Sequence, residues 1–366
     1  MIRILQCVNN MHRAGLETML MNYYRNLDRN QIQFDFLTHR SDRSDYDDEI
    51  ESLGGKIYYA PRLYPKNYPQ YFSYMEKFFE EHKEYRIVHS HIDSMSYLPL
   101  FAAKKAGVPI RIAHSHNTAI DFDYKYFLKN FFRKKINSVA THYFSCGEEA
   151  GNFLFGKNAS FDIIHNAIDA DKFCFNAFIR EQKRKELKID NKFVVGHVGR
   201  MVRQKNHKFL IQVFVELLHS LPNAVLLLIG VGEEEENIKK IVQKNGLEEK
   251  VLFLGNRNDV AALYQAMDVF VLTSFYEGVP VVGIEAQFAG LPCVFSTGVP
   301  KEVNFSGKCE FLSIGIEPKQ WSNYIVNLNI EDRKSEMFSD SLFRIENAQK
   351  ELEKKYFSLL SEISYE

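Results

Sequence analysis

Short apolar runs alternate along this chain with longer amphipathic stretches, and the two kinds of segment carry different periods. Residues 2–8, 34–38, 56–59, 87–90, 110–114, 142–145 and 162–164 read as strands, each followed by a stretch with helical spacing. The pattern then starts again, with strands at 193–198, 225–230, 251–254, 269–273 and 292–295. Near-continuous apolar strands are buried on both faces, which is the mark of parallel sheets covered by crossover helices. Between the two series, residues 170–191 hold a charged helical segment and no strong strand. The expected architecture is α/β, with two doubly wound Rossmann-like domains over residues 1–172 and 173–342. A charged helix over 343–366 closes the chain, with Leu342, Ile345, Leu352, Phe357 and Leu360 as candidate apolar contacts.

A length of 366 residues suits two such domains. Lys and Arg number 46 against 47 Asp and Glu, so a nucleic-acid partner is not expected. The five cysteines form no Cys-x-x-Cys pair, which fits a reducing, cytoplasmic location. The opening apolar run stops at Asn9-Asn10 and is too short for a signal peptide. The best apolar run, Ala224-Val-Leu-Leu-Leu-Ile229, falls far short of the ~20 residues a membrane span needs, so any membrane contact is expected to be peripheral.

The chemistry concentrates where the strand ending at Thr273 runs into Ser274-Phe-Tyr-Glu277-Gly278-Val279-Pro280-Val281, followed by Glu285. In open α/β sheets ligands bind at the carboxyl ends of strands, and a turn leading into a helix there offers backbone N–H groups. Two carboxylates beside such amides suit a polyol, a sugar or a ribose. Arg200 and Lys205 follow the strand 193–198, where a guanidinium and an ammonium can hold a diphosphate leaving group without a metal. Gly15, at the first helix start, lets backbone amides approach the same phosphates. The Gly230-Val-Gly232 turn lacks the third glycine of a dinucleotide fingerprint, and Glu233 to Glu236 would repel a pyrophosphate. No metal is expected: Asp121-Phe-Asp123 and Asp169-Ala-Asp171 are short strings common by chance. For His89-Ser-His91 and His114-Ser-His116, no Cys or carboxylate at ligand spacing completes a zinc set. In the segment 124–135, Lys125, Lys129 and Arg133 share one helical side, with Lys134 and Lys135 beside them, and Phe127, Leu128 and Phe131 share another. That combination suits either an anionic membrane surface or an ordinary helix with its aromatic side in the core.

The Glu277-x7-Glu285 pattern, with Glu-Gly-Val-Pro after the first glutamate and Glu-Ala at the second, resembles the retaining GT-B glycosyltransferases of family 4, of the bacterial capsule and exopolysaccharide kind. Gly199-Arg200-(x4)-Lys205 is similar to the family's phosphate clamp, Ile164-His-Asn166-Ala-Ile-Asp169 to its linker signature, and Ala14-Gly15-Leu-Glu17 to its first turn. The resemblance implies two domains facing across a cleft, with the last helix crossing back to the first domain. It implies transfer of a hexose from a nucleotide diphosphate sugar, expected to be a UDP-sugar, to a lipid-linked glycan, with no cofactor. Glu285 would meet the ribose, and Glu277 with Gly278–Val281 the sugar. Asn256 and Arg257 would lie near the base, and His114 or His116 beside the reacting sugar, with Asn117 and Asn166 on the acceptor side. A GT-B epimerase or phosphorylase, or a noncatalytic nucleotide-sugar-binding subunit, are the alternatives. No pyridoxal lysine motif supports the first, and the retention of Glu277, Arg200 and Lys205 argues against the second.

Overall fold

The computed structural model describes residues 1–120, 124–328, 330, 333 and 338–362. The chain forms two compact units: Met1–Ala167 together with Leu342–Glu366, and Ile168–Ser341. Asp121 and Asp123, one of the two Asp-x-Asp strings, lie outside the described residues.

The first unit holds a seven-stranded sheet of β1 (Ile2–Cys7), β2 (Ile32–Thr38), β3 (Ile57–Tyr59), β4 (Ile87–Ser90), β5 (Ile110–Ser115), β6 (His142–Ser145) and β7 (Asp162–Ile163). Its order is β3-β2-β1-β4-β5-β6-β7, with every pairing parallel. The second unit repeats the plan with β8 (Val194–Val198), β9 (Val225–Ile229), β10 (Val251–Gly255), β11 (Val269–Leu272), β12 (Cys293–Ser296) and β13 (Cys309–Leu312), in the order β10-β9-β8-β11-β12-β13. Both sheets therefore reverse direction once, between β1 and β4 and between β8 and β11. A crevice opens at the carboxyl ends of the strands where the winding reverses. Those two points position everything that follows.

Burial explains the strand pattern. β2 and β9 are buried along their whole length, as strands covered on both faces must be. Strand β13 was not expected from the sequence: Cys-Glu-Phe-Leu is half-buried throughout and pairs only with β12, so it lacks the apolar run of a central strand. The closing helix spans Ile345–Glu362 and buries Ile345, Ala348, Leu352, Tyr356 and Leu359 within the first unit. Leu342 and Phe357 are exposed instead. Ile345 and Leu352 pack as expected, and only the last two turns shift by one residue, with Tyr356 and Leu359 buried in place of Phe357 and Leu360, which puts a tyrosine rather than a phenylalanine into the core.

Candidate functional site

At the β8–β11 switch point, the chain leaves β8 through Gly199 and Arg200 and turns at Arg203–Lys205 before entering the helix His207–Ser220. Asn206, with φ of 52°, makes that turn left-handed, a conformation asparagine tolerates. Thr273, just past β11, fixes the turn by donating its hydroxyl toward the carbonyls of Lys205 (3.2 Å) and Asn206 (3.1 Å). Phe275 N–H donates to Gln204 O at 2.9 Å and Gln204 Nε2 to Tyr276 O at 2.9 Å, zipping the two loops together. The neighbouring turn closes in only because it carries glycine: a Cβ on Gly230 would lie 2.2 Å from Gly199 O, and one on Gly232 2.3 Å from Met201 O. The Gly-x-Gly thus serves backbone approach to the Arg200 loop.

The zipped loops bring Lys205 Nζ to 2.6 Å from Glu277 Oε1, with 14% and 8% of the two side chains exposed. Glu277 N–H donates to Gly298 O at 2.9 Å, holding the carboxylate over the switch point. Arg200 is exposed at the same strand end. Lys205 is thus not a free cation at the loop surface but a partner in a largely buried ion pair. Removing one partner of such a pair leaves an uncompensated charge.

The helix after Glu277 runs Val281–Phe288, with Pro280 as its N-cap. Its first amides have no intrahelical acceptor. Glu285 is buried on this helix, with Oε2 2.8 Å from the Tyr264 hydroxyl, itself 3.0 Å from Val282 O. Burial raises the Glu285 carboxyl to about 7, partly offset by the Tyr264 hydrogen bond. The phenol donates toward both the Glu285 carboxylate and Val282 O. Asn256 is exposed beyond β10, and Arg257 is drawn onto Asp259, with Nε and Nη2 both 2.7 Å from its carboxylate. Gly15 opens the helix Gly15–Asn26 after β1, in the first unit.

The β1–β4 switch point has a different lining. His89 and His91 stand at the end of β4, and His114 and His116 at the end of β5. His89 Nε2 meets His114 Nδ1 at 3.1 Å, and His91 Nδ1 meets His116 Nε2 at 3.0 Å. The pairs stack, with ring centres 4.1 Å apart for His89 on His91 and 4.1 Å for His114 on His116. His89, His91 and His114 offer nitrogens within 4.8 Å of one another, so the two His-Ser-His strings weighed for zinc come together without the Cys or carboxylate that sequence spacing lacked. Within each pair the ring centres lie 5.1 and 5.3 Å apart, close to the N···N distance plus two ring radii, so the facing nitrogens are placed to hydrogen-bond each other. Burial holds all four imidazoles below their ordinary value, His116 at about 3, and hence neutral.

Asp93, held at a φ of 46°, accepts from His116 N–H at 2.8 Å and from Asn117 Nδ2 at 2.7 Å, and so shapes the strand end. It was missed by sequence reasoning, although it follows His91 by two residues. Asn166 is buried in a loop that Tyr23 and Asn22 fasten through His165 O (2.7 Å) and Ala167 O (3.0 Å).

Two family descriptions match this arrangement: Glycosyltransferase Family 4 over residues 13–172 and Glycosyl transferases group 1 over residues 178–341. The putative glycosyltransferase EpsF of Bacillus subtilis is 35% identical over 353 residues, covering 94% of this chain and 92% of the relative. The chain belongs to the family 4 glycosyltransferases. This transferase is also similar to the capsular polysaccharide biosynthesis glycosyltransferase CapH of Staphylococcus aureus, at 28% identity over 98% of this chain and 99% of that one. A third relative, the UDP-Gal:α-D-GlcNAc-diphosphoundecaprenol α-1,3-galactosyltransferase of Escherichia coli, is 31% identical over 58% of each chain. The fold of the transferase is GT-B. Anabaena HepE, crystallised with UDP and glucose, matches with a TM-score of 0.80 at 18% identity, over 98% of this chain and 100% of that one.

The helix Tyr126–Lys135 overturns the expected division of its faces. Lys125 Nζ lies 4.1 Å from the centre of the Tyr64 ring, and Arg133 donates to Phe153 O at 2.7 Å, so these basic groups lie against the protein. Phe132 is the buried aromatic, while Tyr124 and Phe127 are each 80% exposed and Phe131 54%, with Lys134 and Lys135 exposed beyond them. Among the described residues, no helix is long and apolar enough to cross a membrane.

Proposed function

We propose that this transferase moves a hexose from a UDP-sugar to a lipid-linked glycan in capsular or exopolysaccharide synthesis, with retained anomeric configuration and no divalent cation. The observation that carries the donor site is the Lys205–Glu277 pair, with Arg200 beside it, at the β8–β11 switch point. Diphosphate arriving there draws Lys205 from Glu277, which frees the carboxylate for a sugar hydroxyl. Two side-chain cations then neutralise the departing diphosphate, so a metal is redundant. The amides at the start of Val281–Phe288 face the sugar and phosphate oxygens, and Glu285 accepts from the ribose. In the first unit, His116 accepts a sugar or acceptor hydroxyl. The UDP and lipid-linked parts of the reading are supported by what the Escherichia coli relative is named for, and the polysaccharide role by the name of CapH. Retention follows only from the resemblance of the Glu277-x7-Glu285 segment.

A thermal-shift screen with UDP- and GDP-sugars, followed by transfer assays on Arg200→Ala with and without EDTA, tests this. Stabilisation by a UDP-sugar, loss of transfer in the variant and indifference to EDTA are expected. Full activity of Arg200→Ala, or activity that returns only with Mn²⁺, overturns the assignment. Retention is read from the anomeric proton coupling of the product.

A second reading concerns the membrane. The outward Tyr124, Phe127 and Phe131, flanked by Lys134 and Lys135, suit the headgroup region of an anionic bilayer, where a lipid-linked acceptor would lie.

A further inference from the structure

Gln6 is the polar residue in the otherwise apolar interior of β1, with no exposure, and its side chain stands between the two histidine pairs and the closing helix. Its Oε1 lies 2.8 Å from His91 Nε2, and its Nε2 lies 3.4 Å from the Tyr356 hydroxyl, which in turn lies 2.8 Å from His89 Nδ1. A carboxamide oxygen only accepts and its NH2 only donates. His91 must therefore carry its proton on Nε2, and a neutral imidazole has only one. His91 Nδ1 is then an acceptor, and His116 Nε2 must donate to it, leaving the lone pair of His116 on Nδ1. On the other branch, Gln6 donates to Tyr356, whose own proton goes to His89 Nδ1. His89 donates from Nε2 to His114 Nδ1, and His114 ends with its proton on Nε2, a buried nitrogen with no hydrogen-bond partner.

We infer that Gln6 is a positioning residue that, through His91, fixes His116 as the tautomer whose Nδ1 is an acceptor, while through Tyr356 it fixes His114 as a donor. One amide thus gives opposite hydrogen-bonding character to two imidazoles on the same strand end. The consequence for chemistry rests on the transferase reading: His116 is set to receive a hydroxyl proton or hydrogen bond, and His114 is not. The chain of donors is all-or-none, because turning the Gln6 amide over reverses every donor and acceptor along both branches. The closing helix contributes Tyr356, so the far end of the sequence takes part in setting the protonation of β5.

The test reads tautomers directly on the protein alone, so its failure is distinct from a failure of the transferase reading. Two-bond ¹H–¹⁵N correlation spectra of ¹⁵N-histidine-labelled full-length protein at pH 7.5, assigned with single His→Gln variants, separate the two neutral tautomers. His91 and His116 are expected to be protonated on Nε2 in the unsubstituted protein. Gln6→Met should make the His116 signals move toward a tautomer mixture and lower kcat several-fold with donor KM unchanged. Tyr356→Phe should disturb His89 and His114 and leave His116 as it was. A His116 protonated on Nδ1 in the unsubstituted protein, or a His116 spectrum unmoved by Gln6→Met, overturns the inference. Should Gln6→Met fail to fold, the unsubstituted spectrum and Tyr356→Phe still decide it.

Discussion

The two units wind their sheets in the same way and reverse at equivalent points, yet the linings of those points are chemically opposed. The β1–β4 end is a stack of neutral imidazoles joined to one amide and one phenol, whereas the β8–β11 end is an ion pair with an exposed arginine beside it. Both are buried, and burial disfavours charge in both. The first answers by staying uncharged and passing hydrogen bonds along. The second answers by pairing opposite charges. Topology provides the place, and residue type decides whether that place is lined by uncharged hydrogen-bonding groups or by paired charges.

The largest expected effect is acid lability of the first unit. Among the described residues, its imidazoles His39, His89, His91, His114, His116 and His165 are held below the ordinary value by burial, against His197 and His207 in the second unit. In the unfolded chain each takes up a proton near 6.5, so below that pH the unfolded state binds more protons and stability is lost as pH falls. The ceiling is about 1.4 kcal/mol per imidazole per pH unit. Hydrogen exchange at pH 7, 6 and 5 should show the first unit losing protection earlier and more steeply. Equal losses would break the comparison.

Next in size is the clamp. Lys205→Ala should abolish transfer and cost about 3–5 kcal/mol of stability by stranding Glu277, while Arg200→Ala should abolish transfer with little effect on melting. Lys205→Ala combined with Glu277→Gln should regain much of the stability but not the activity. Calorimetric unfolding of the three variants decides whether the ion pair is as buried energetically as it is geometrically.

Glu285 gives a third test. Its folded-state value of about 7 lies above the unfolded value of 4.5, so the stability it contributes is full below about 4.5 and is lost as pH rises through about 7. The difference amounts to roughly 3 kcal/mol. Glu285→Gln should therefore raise stability at pH 8 and change it little at pH 5, while weakening UDP binding by about 1–3 kcal/mol at pH 8. Glu277→Gln should leave UDP affinity nearly unchanged and depress turnover. Titration calorimetry separates the two carboxylates, and equal loss of UDP affinity in both variants would merge their roles.

The smallest effect belongs to the outward face of Tyr126–Lys135. Phe127→Ser with Phe131→Ser, or Lys134→Glu with Lys135→Glu, should weaken sedimentation with anionic vesicles by about 1 kcal/mol per basic residue reversed. Lys125→Glu should instead lower melting temperature, since that side chain packs on Tyr64. Unchanged sedimentation in all variants would remove the membrane reading.

Periodicity and motif together were enough for the strands of both sheets except β13 and for the glycosyltransferase family. These are properties of local pattern: apolar runs report burial, and glycine, proline and carboxylates at set spacing report the family's turn at a strand end. Three things were decided only by tertiary structure, because each depends on residues distant in sequence meeting in space. Lys205 is buried against Glu277, 72 residues away. The closing helix turns Tyr356 inward instead of Phe357, a difference of one residue that spacing on a mixed apolar face does not resolve. And four histidines from two strands, which in sequence are two separate His-Ser-His strings, become one hydrogen-bonded stack whose proton positions are set by a glutamine on a third strand and a tyrosine 350 residues from it.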